Sequence, residues 1–205
     1  MPELGLFPLG IVLLPSERVP LHVFEERYKE LIDECIALDE EFGLLYADES
    51  GLREIGCRAT VVEVIERFDD GRLNVLVEGR ERFRILRHTG GRSFSTAEVD
   101  PVSDDDPRTA PESAARALNA FQRLVELVEA EIELPDPLAS QLSFELAGRV
   151  ELEQEAKQEL LESRSEAERL ERVAELLEGA AAAVALAEEA RQRASGNGKV
   201  SPPPA

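Results

Sequence analysis

The sequence predicts an α+β chain: a β-rich first half with one early helix, then an all-helical second half ending in one long helix. Three observations carry this. Period-two alternation broken by turn residues dominates residues 4–99, apolar positions at three- and four-residue spacing dominate beyond residue 111, and PVSDDDPRTAP at 101–111 separates the two. The organisation read from this is a β domain over 1–101, a linker over 102–111, a helical subdomain over 112–194 and a disordered tail over 195–205.

Residues 4–14 give a short strand or two, turning at Pro8-Leu9-Gly10 and stopping at Pro15. Pro20 suits an edge strand, because proline has no N–H to donate to a central ladder. From Phe24 the period changes. Phe24, Tyr28, Leu31, Ile32, Cys35 and Ile36 mark an amphipathic helix to about Leu38, with Glu25, Glu26, Lys29, Glu30, Asp33 and Glu34 on its wet side. Residues 42–47 form a short apolar strand before the turn Asp48-Glu49-Ser50-Gly51. Residues 57–68 alternate into Asp69-Asp70-Gly71-Arg72 and 73–77 alternate away, a strong hairpin signal. Gly79 reads as a bulge or a point of close approach. Gly90-Gly91-Arg92 reads as a turn, and 93–99 as a closing strand.

In the second half, Thr109 with Glu112 makes a capping box, after which Leu118, Phe121, Leu124, Val125 and Val128 stripe one face as far as Ile132. Asp136-Pro137 pairs an N-cap with a first-turn proline, opening a short helix that carries Leu138, Leu142 and Leu146. Residues 151–162 give a third helix, and Ser165 with Glu168 caps a long fourth one reaching to about Ala194. On it Leu170, Val173, Leu177, Ala180, Val184 and Ala187 form a heptad seam. That seam packs within the chain's own helical part or pairs with a second copy to make a homodimer.

The composition narrows the function. Forty-three acidic against 23 basic residues give a net charge of −20, which repels nucleic-acid phosphate and anionic membrane surfaces alike. Twenty of the basic residues are Arg and three are Lys, a skew that with the abundant alanine suggests a GC-rich bacterial genome. MPELGLF is no signal peptide, and no run is long and apolar enough to span a bilayer, so the expected location is the cytoplasm.

The residues that could do chemistry are few. Cys35 and Cys57 read as small buried hydrophobes. With His22 and His88 they lack the short ligand spacing of a zinc site, so no metal and no cofactor is expected. No G-x-x-x-x-G-K-[ST] phosphate loop occurs, and neither histidine is marked as catalytic. Asp104-Asp105-Asp106 lacks the alternating ligands of a calcium loop and reads as solvated linker. One pattern stands against the acidity: Arg80, Arg82 and Arg84 share strand parity and so one face. They form either a polar outer face neutralised by the chain's own carboxylates or a docking strip for an acidic or C-terminal peptide.

Several stretches together resemble the substrate-binding N-terminal domain of Lon-type ATP-dependent proteases. These are FPLGIVLLP, PLHVFEERY and IGCRATVVEVIERFDDGRLNVLVEGRERFRI, followed by Lys157-Gln158-Glu159-Leu160-Leu161-Glu162 and Arg169-Leu170-Glu171. The resemblance runs from about residue 4 to 178 and implies a PUA-like pseudobarrel followed by a helical bundle. Phe24, Glu25, Arg27 and Tyr28 match the family's signature and read as structural, with Phe24 and Tyr28 buried against the barrel. The family's ATPase and peptidase motifs do not follow. The resemblance therefore implies a non-enzymatic module whose partners are polypeptide segments or unfolded protein, an adaptor or regulator in protein quality control. PUA-like barrels include RNA binders, the alternative reading, which would need Arg80, Arg82 and Arg84 to join Arg58 or Arg87 in one positive patch.

Overall fold

The computed structural model describes residues 3–105 and 110–196, with side chains through Arg193. In chain order the elements are β1 (Leu4–Leu9), β2 (Arg18–Val23), α1 (Glu26–Leu38), β3 (Phe42–Asp48), β4 (Gly51–Leu52), β5 (Ile55–Arg67), β6 (Leu73–Thr89) and β7 (Thr96–Pro101). The helical half follows as α2 (Pro111–Leu127), α3 (Leu142–Ala147), α4 (Gln154–Glu162) and α5 (Glu166–Gly196).

The sheet closes on itself. Its order is β1-β7-β6-β5-β3, and β3 pairs back to β1 in parallel, from Leu6 opposite Gly43 to Leu9 opposite Tyr46. Closure removes the exposed edges that a flat sheet would present. One face of these strands buries Leu4, Leu6, Leu45, Phe83, Ala97 and Val99 as one cluster, and the opposite face buries Phe7, Phe42, Leu44, Cys57 and Ala59 in the larger core.

β6 makes this geometry possible. Its first half pairs with β2 on one side and β5 on the other, while its second half exchanges β2 for β7. The changeover falls at Gly79. Ser16 N donates to Gly79 O and Gly79 N donates to Glu17 O, each at 2.9 Å. A Cβ on Gly79 would stand 2.1 Å from Leu14 O, so only glycine lets the two backbones meet. The expected point of close approach is real. β5 and β6 extend past the barrel as a hairpin, and β2 makes it a three-stranded sheet whose far edge has no strand partner among the described residues.

Among the described residues before Pro15 only one strand forms. Residues 10–17 run as an irregular segment that buries Val12, Leu13 and Leu14 under the helical half. α1 buries Tyr28, Leu31, Ile32 and Cys35, with Phe7 stacked on Tyr28 at 4.1 Å between ring centroids. Asp39 in the left-handed region (φ 55°) ends it.

The helical half differs from expectation at two boundaries. α2 stops at Leu127 rather than near Ile132, where Glu129 adopts φ 52°, and Val128 and Ile132 are exposed. Asp136 opens no helix. Its side chain accepts a bond from Leu138 N (2.9 Å) and its carbonyl one from Ala139 N (3.0 Å), which closes a single turn and leaves Leu138 86% exposed. α3 starts only at Leu142, and there Leu142 and Leu146 are buried. At the head of α2 the cap position is Ala110, without a side-chain cap, and Thr109 lies outside the described residues. So do 197–205, most of the expected tail.

α5 packs on α2 within the chain. Leu170, Val173 and Leu177 are buried, after which Ala181 rather than Ala180 goes under and Ala187 is exposed. A straight α-helix drifts by about 20° per heptad, so a strict seven-residue seam slides off one partner face.

α4 fastens the helical half to the barrel. Gln154 Oε1 accepts a bond from Val12 N (2.6 Å), Lys157 Nζ pairs with Glu17 Oε1 (2.5 Å), and Gln158 Nε2 donates to Ile55 O (3.2 Å). Tyr46 Oη donates to Glu155 Oε1 at 3.0 Å. The two halves share one core.

Candidate functional site

The three arginines that share parity on β6 do not share a fate. Arg80 is exposed and pairs with Glu78 (2.8 Å), while Arg84 is exposed and has no ionic partner among the described residues. Arg82 is buried. Its Nη1 donates to Leu161 O (2.9 Å) and Ser163 O (2.5 Å), and its Nη2 to Asp104 Oδ1 (2.5 Å). The helical half covers that part of the strand, so no continuous three-arginine strip faces solvent.

Asp104 is correspondingly not solvated linker. Its side chain is 10% exposed and it also receives Arg169, through Nη1–Oδ1 at 2.7 Å and Nη2–Oδ2 at 2.6 Å. Arg169 goes on to Glu166 (2.5 Å) and, through Nε, to Ser143 Oγ (3.0 Å); Glu166 in turn accepts both Ser143 N and Ser143 Oγ. Both guanidiniums approach the Phe144 ring, Arg169 at 4.5 Å and Arg82 at 5.3 Å from its centroid. Two cations and two carboxylates balance in a site that water scarcely reaches, which is how buried charge is tolerated. Asp105 stays outside, on Arg164 (2.6 Å), and Asp106 is not among the described residues.

The signature residues split as well. Tyr28 is buried as expected, with the Arg27 guanidinium 4.5 Å over its ring and Arg27 held by Glu25 at 2.7 Å. Phe24 is not buried: it is 60% exposed. Strand parity explains this. Leu21 and Val23 point into the core, so Arg18, Pro20, His22 and Phe24 project from the opposite face. The alternation of β2 held that signal, and the helical spacing read from Phe24 onward obscured it.

That outer face is built in rungs across three strands. Arg18 lies opposite Glu78 and Thr60; Pro20 opposite Leu76 and Glu63; His22 opposite Asn74 and Glu66. His22 Nδ1 donates to Asn74 Oδ1 (2.7 Å), and Asn74 Nδ2 to Glu66 Oε2 (3.2 Å). Beyond the last rung, His22 stacks on Phe24 (5.9 Å) and meets Phe68 edge-on (6.2 Å). The result is a mixed face open to solvent, with Pro20 and Leu76 between polar and charged rungs and the His22, Phe24 and Phe68 aromatic group at one end.

Nothing in these groups is set for bond-breaking. The two free cysteines are buried, and burial pushes the Cys35 thiol up to about 11 and the Cys57 thiol up to about 12, far from a thiolate nucleophile. Ser143 is fully buried between Glu166 and Arg169. A hollow of about 440 Å³ against α2 is lined by Pro111, Ala114, Leu118, Leu138 and neighbours, without one titratable side chain. Arg58, Arg80, Arg82 and Arg87 are each paired with a carboxylate.

Residues 3–179 match the family described as the ATP-dependent protease La (LON) substrate-binding domain. The chain belongs to that family. Among curated relatives it is 28% identical to the Lon protease of Rhizobium meliloti (strain 1021), over 89% of this chain and 25% of that protein. It is 29% identical to the Lon protease of Solibacter usitatus, over 86% of this chain and 24% of that one. The chain thus spans about a quarter of the length of the curated relatives it matches. Two solved structures share the fold. One is the Lon N-terminal domain protein from Xanthomonas campestris (TM-score 0.68, 24% identity, 84% of this chain and 97% of that chain). The other is the N-terminal domain of Mycobacterium avium complex Lon protease (TM-score 0.66, 21% identity, 88% and 98%).

Within this Lon substrate-binding domain, Lys157, Gln158 and Arg169 are among the residues that dock the helices on the barrel. No helix among the described residues is long and apolar enough to cross a membrane.

Proposed function

We propose that this Lon substrate-binding domain chain is a non-enzymatic recognition module that engages extended or unfolded polypeptide, acting as an adaptor or regulator in protein quality control. The observation that carries the reading is the solvent-facing Phe24, held on the stiff β2–β6–β5 sheet in a family whose description is substrate binding. A rigid platform with an exposed ring is suited to apolar side chains that a folded protein hides. Folded proteins offer few of these on their surface, so the platform discriminates unfolded from native chains. Contacts this shallow give affinities of about micromolar, or roughly −8 kcal/mol.

The test is retention of a reduced, unfolded protein by the immobilised chain, against the same protein in its native form and a charge-matched control. Selective retention of the unfolded form supports the reading, and equal or absent retention overturns it. Cleavage of the bound protein, or turnover of ATP by the purified chain, would overturn the non-enzymatic assignment.

A further inference from the structure

We propose that the outer face of the β2–β6–β5 sheet selects cationic apolar segments: extended stretches with Lys or Arg at alternate positions beside an aromatic or aliphatic residue. This deepens the polypeptide-binding reading and rests on it. Two independent features of the face point to that chemistry.

The first is unbalanced charge. Every cation near the face already has a carboxylate: Arg18 and Arg80 hold Glu78, Arg27 holds Glu25, Arg67 holds Asp33 and Arg72 holds Asp70. Three carboxylates are left over. Glu63 and Asp69 have no cationic partner among the described residues, and Glu66 receives only the neutral Asn74 amide. The apolar centre is therefore rimmed by negative charge that no cation among the described residues pairs with. An acidic segment is repelled there and a basic one is drawn in.

The second is spacing. Glu63 and Glu66 are three residues apart on β5, but a register shift between Val64 and Glu66 brings them onto rungs opposite Leu76 and Asn74, two residues apart on β6. That is about 7 Å, the separation of alternate side chains in an extended chain. A segment lying along β5 thus sets two cations over the two carboxylates in one register. Beyond them the aromatic group of His22, Phe24 and Phe68 receives the apolar side chain. Its ring faces also favour a neighbouring ammonium or guanidinium. The short sheet is fixed beneath by Leu21, Val23, Leu73 and Val75, all buried, so the surface is presented ready-made.

The experiment is fluorescence anisotropy with three labelled peptides that share one apolar pattern around a central Phe. One carries Lys at alternate positions, one Gln and one Glu. They are titrated against the full chain, against Phe24→Ser and against Glu63→Gln/Glu66→Gln, with Leu138→Ser on the helical half as a control. The Lys peptide is expected to bind about tenfold tighter than the Gln peptide, with an advantage that shrinks as salt is raised from about 0.05 to about 0.3 M. The double glutamine variant should erase that advantage. Phe24→Ser should weaken all binding by about fivefold or more, and Leu138→Ser should change nothing. Equal affinity for the three peptides, or an undiminished preference in Glu63→Gln/Glu66→Gln, overturns this selectivity while leaving polypeptide binding in place. Failure of every peptide and of unfolded protein to bind overturns both. Phe24, Glu63 and Glu66 are exposed, so unchanged circular dichroism melts establish that each variant is folded.

Discussion

Arg169 grips Asp104 through two parallel bonds, Nη1–Oδ1 at 2.7 Å and Nη2–Oδ2 at 2.6 Å, and so ties the longest helix to the segment that leaves the barrel. Arg82 holds the same carboxylate from the barrel side. One side chain thereby joins the two halves of the chain. Replacing it leaves two guanidiniums buried against Phe144 with half their compensation gone. Asp104→Asn is expected to cost about 3 kcal/mol of unfolding free energy in urea titration. A loss below about 1 kcal/mol would show that the pairing contributes little beyond its own desolvation.

The same group sets an acid limb. Burial alone would raise the Asp104 carboxyl, but the hydrogen bonds and charges of Arg169 and Arg82 outweigh it and hold the group below the ordinary carboxylate range. A carboxyl depressed in the folded state stabilises above its unfolded value of about 3.9, and that contribution fades as pH falls through the lower folded value. Urea midpoints should therefore be insensitive to Asp104 between about pH 5 and 7. The gap between the wild-type protein and Asp104→Asn should narrow below about pH 4. A gap that stays constant down to pH 2 would contradict this assignment.

The thiols act at the other end of the scale. Burial leads the upward shift of both, with Glu40 and Glu34 adding to it at Cys35, so the folded values are about 11 and about 12. An acid raised in the folded state stabilises below its unfolded value, near 8.5, and is lost as pH climbs towards the folded one. Stability should decline from about pH 8.5 upward, and Cys57→Ala should flatten that decline. A disulfide-exchange reagent should modify neither thiol at neutral pH until denaturant is added.

Two glycines give opposite signs. At Gly79 a methyl group meets the Leu14 carbonyl at 2.1 Å, backbone against backbone, so Gly79→Ala should destabilise by about 2 kcal/mol or more. At Gly179, on α5, an added Cβ meets nothing within 4 Å, so Gly179→Ala should stabilise by about 0.5–1 kcal/mol. Thermal melts of the two variants side by side measure both.

How much of this was legible in sequence varied with the range of the interaction. The Asp-Gly hairpin, the edge position of Pro20, the close approach at Gly79 and the capping Ser165 were readable, because each depends on backbone chemistry within a few residues. Asp104 was misread for the opposite reason: in its own neighbourhood it is one of three aspartates, and its partners stand 22 and 65 positions away. The Lys157-Gln158 and Arg169-Leu170 stretches flagged the helices that matter, without saying that these side chains reach across to the barrel.

By itself, then, the sequence determined the order of elements, the division into a β half and a helical half, the family resemblance and the surplus of negative charge. Periodicity, turn residues and composition are local or additive properties, and one chain suffices to read them. Tertiary structure alone decided which charges are spent and which are left. It buried Arg82 and paired it, turned Phe24 outward beside His22, and left Arg84, Glu63 and Glu66 without an ionic partner among the described residues. Those outcomes depend on which strands meet and what covers them, because the energy of a charge or a ring is fixed by the groups folded against it and by its access to water.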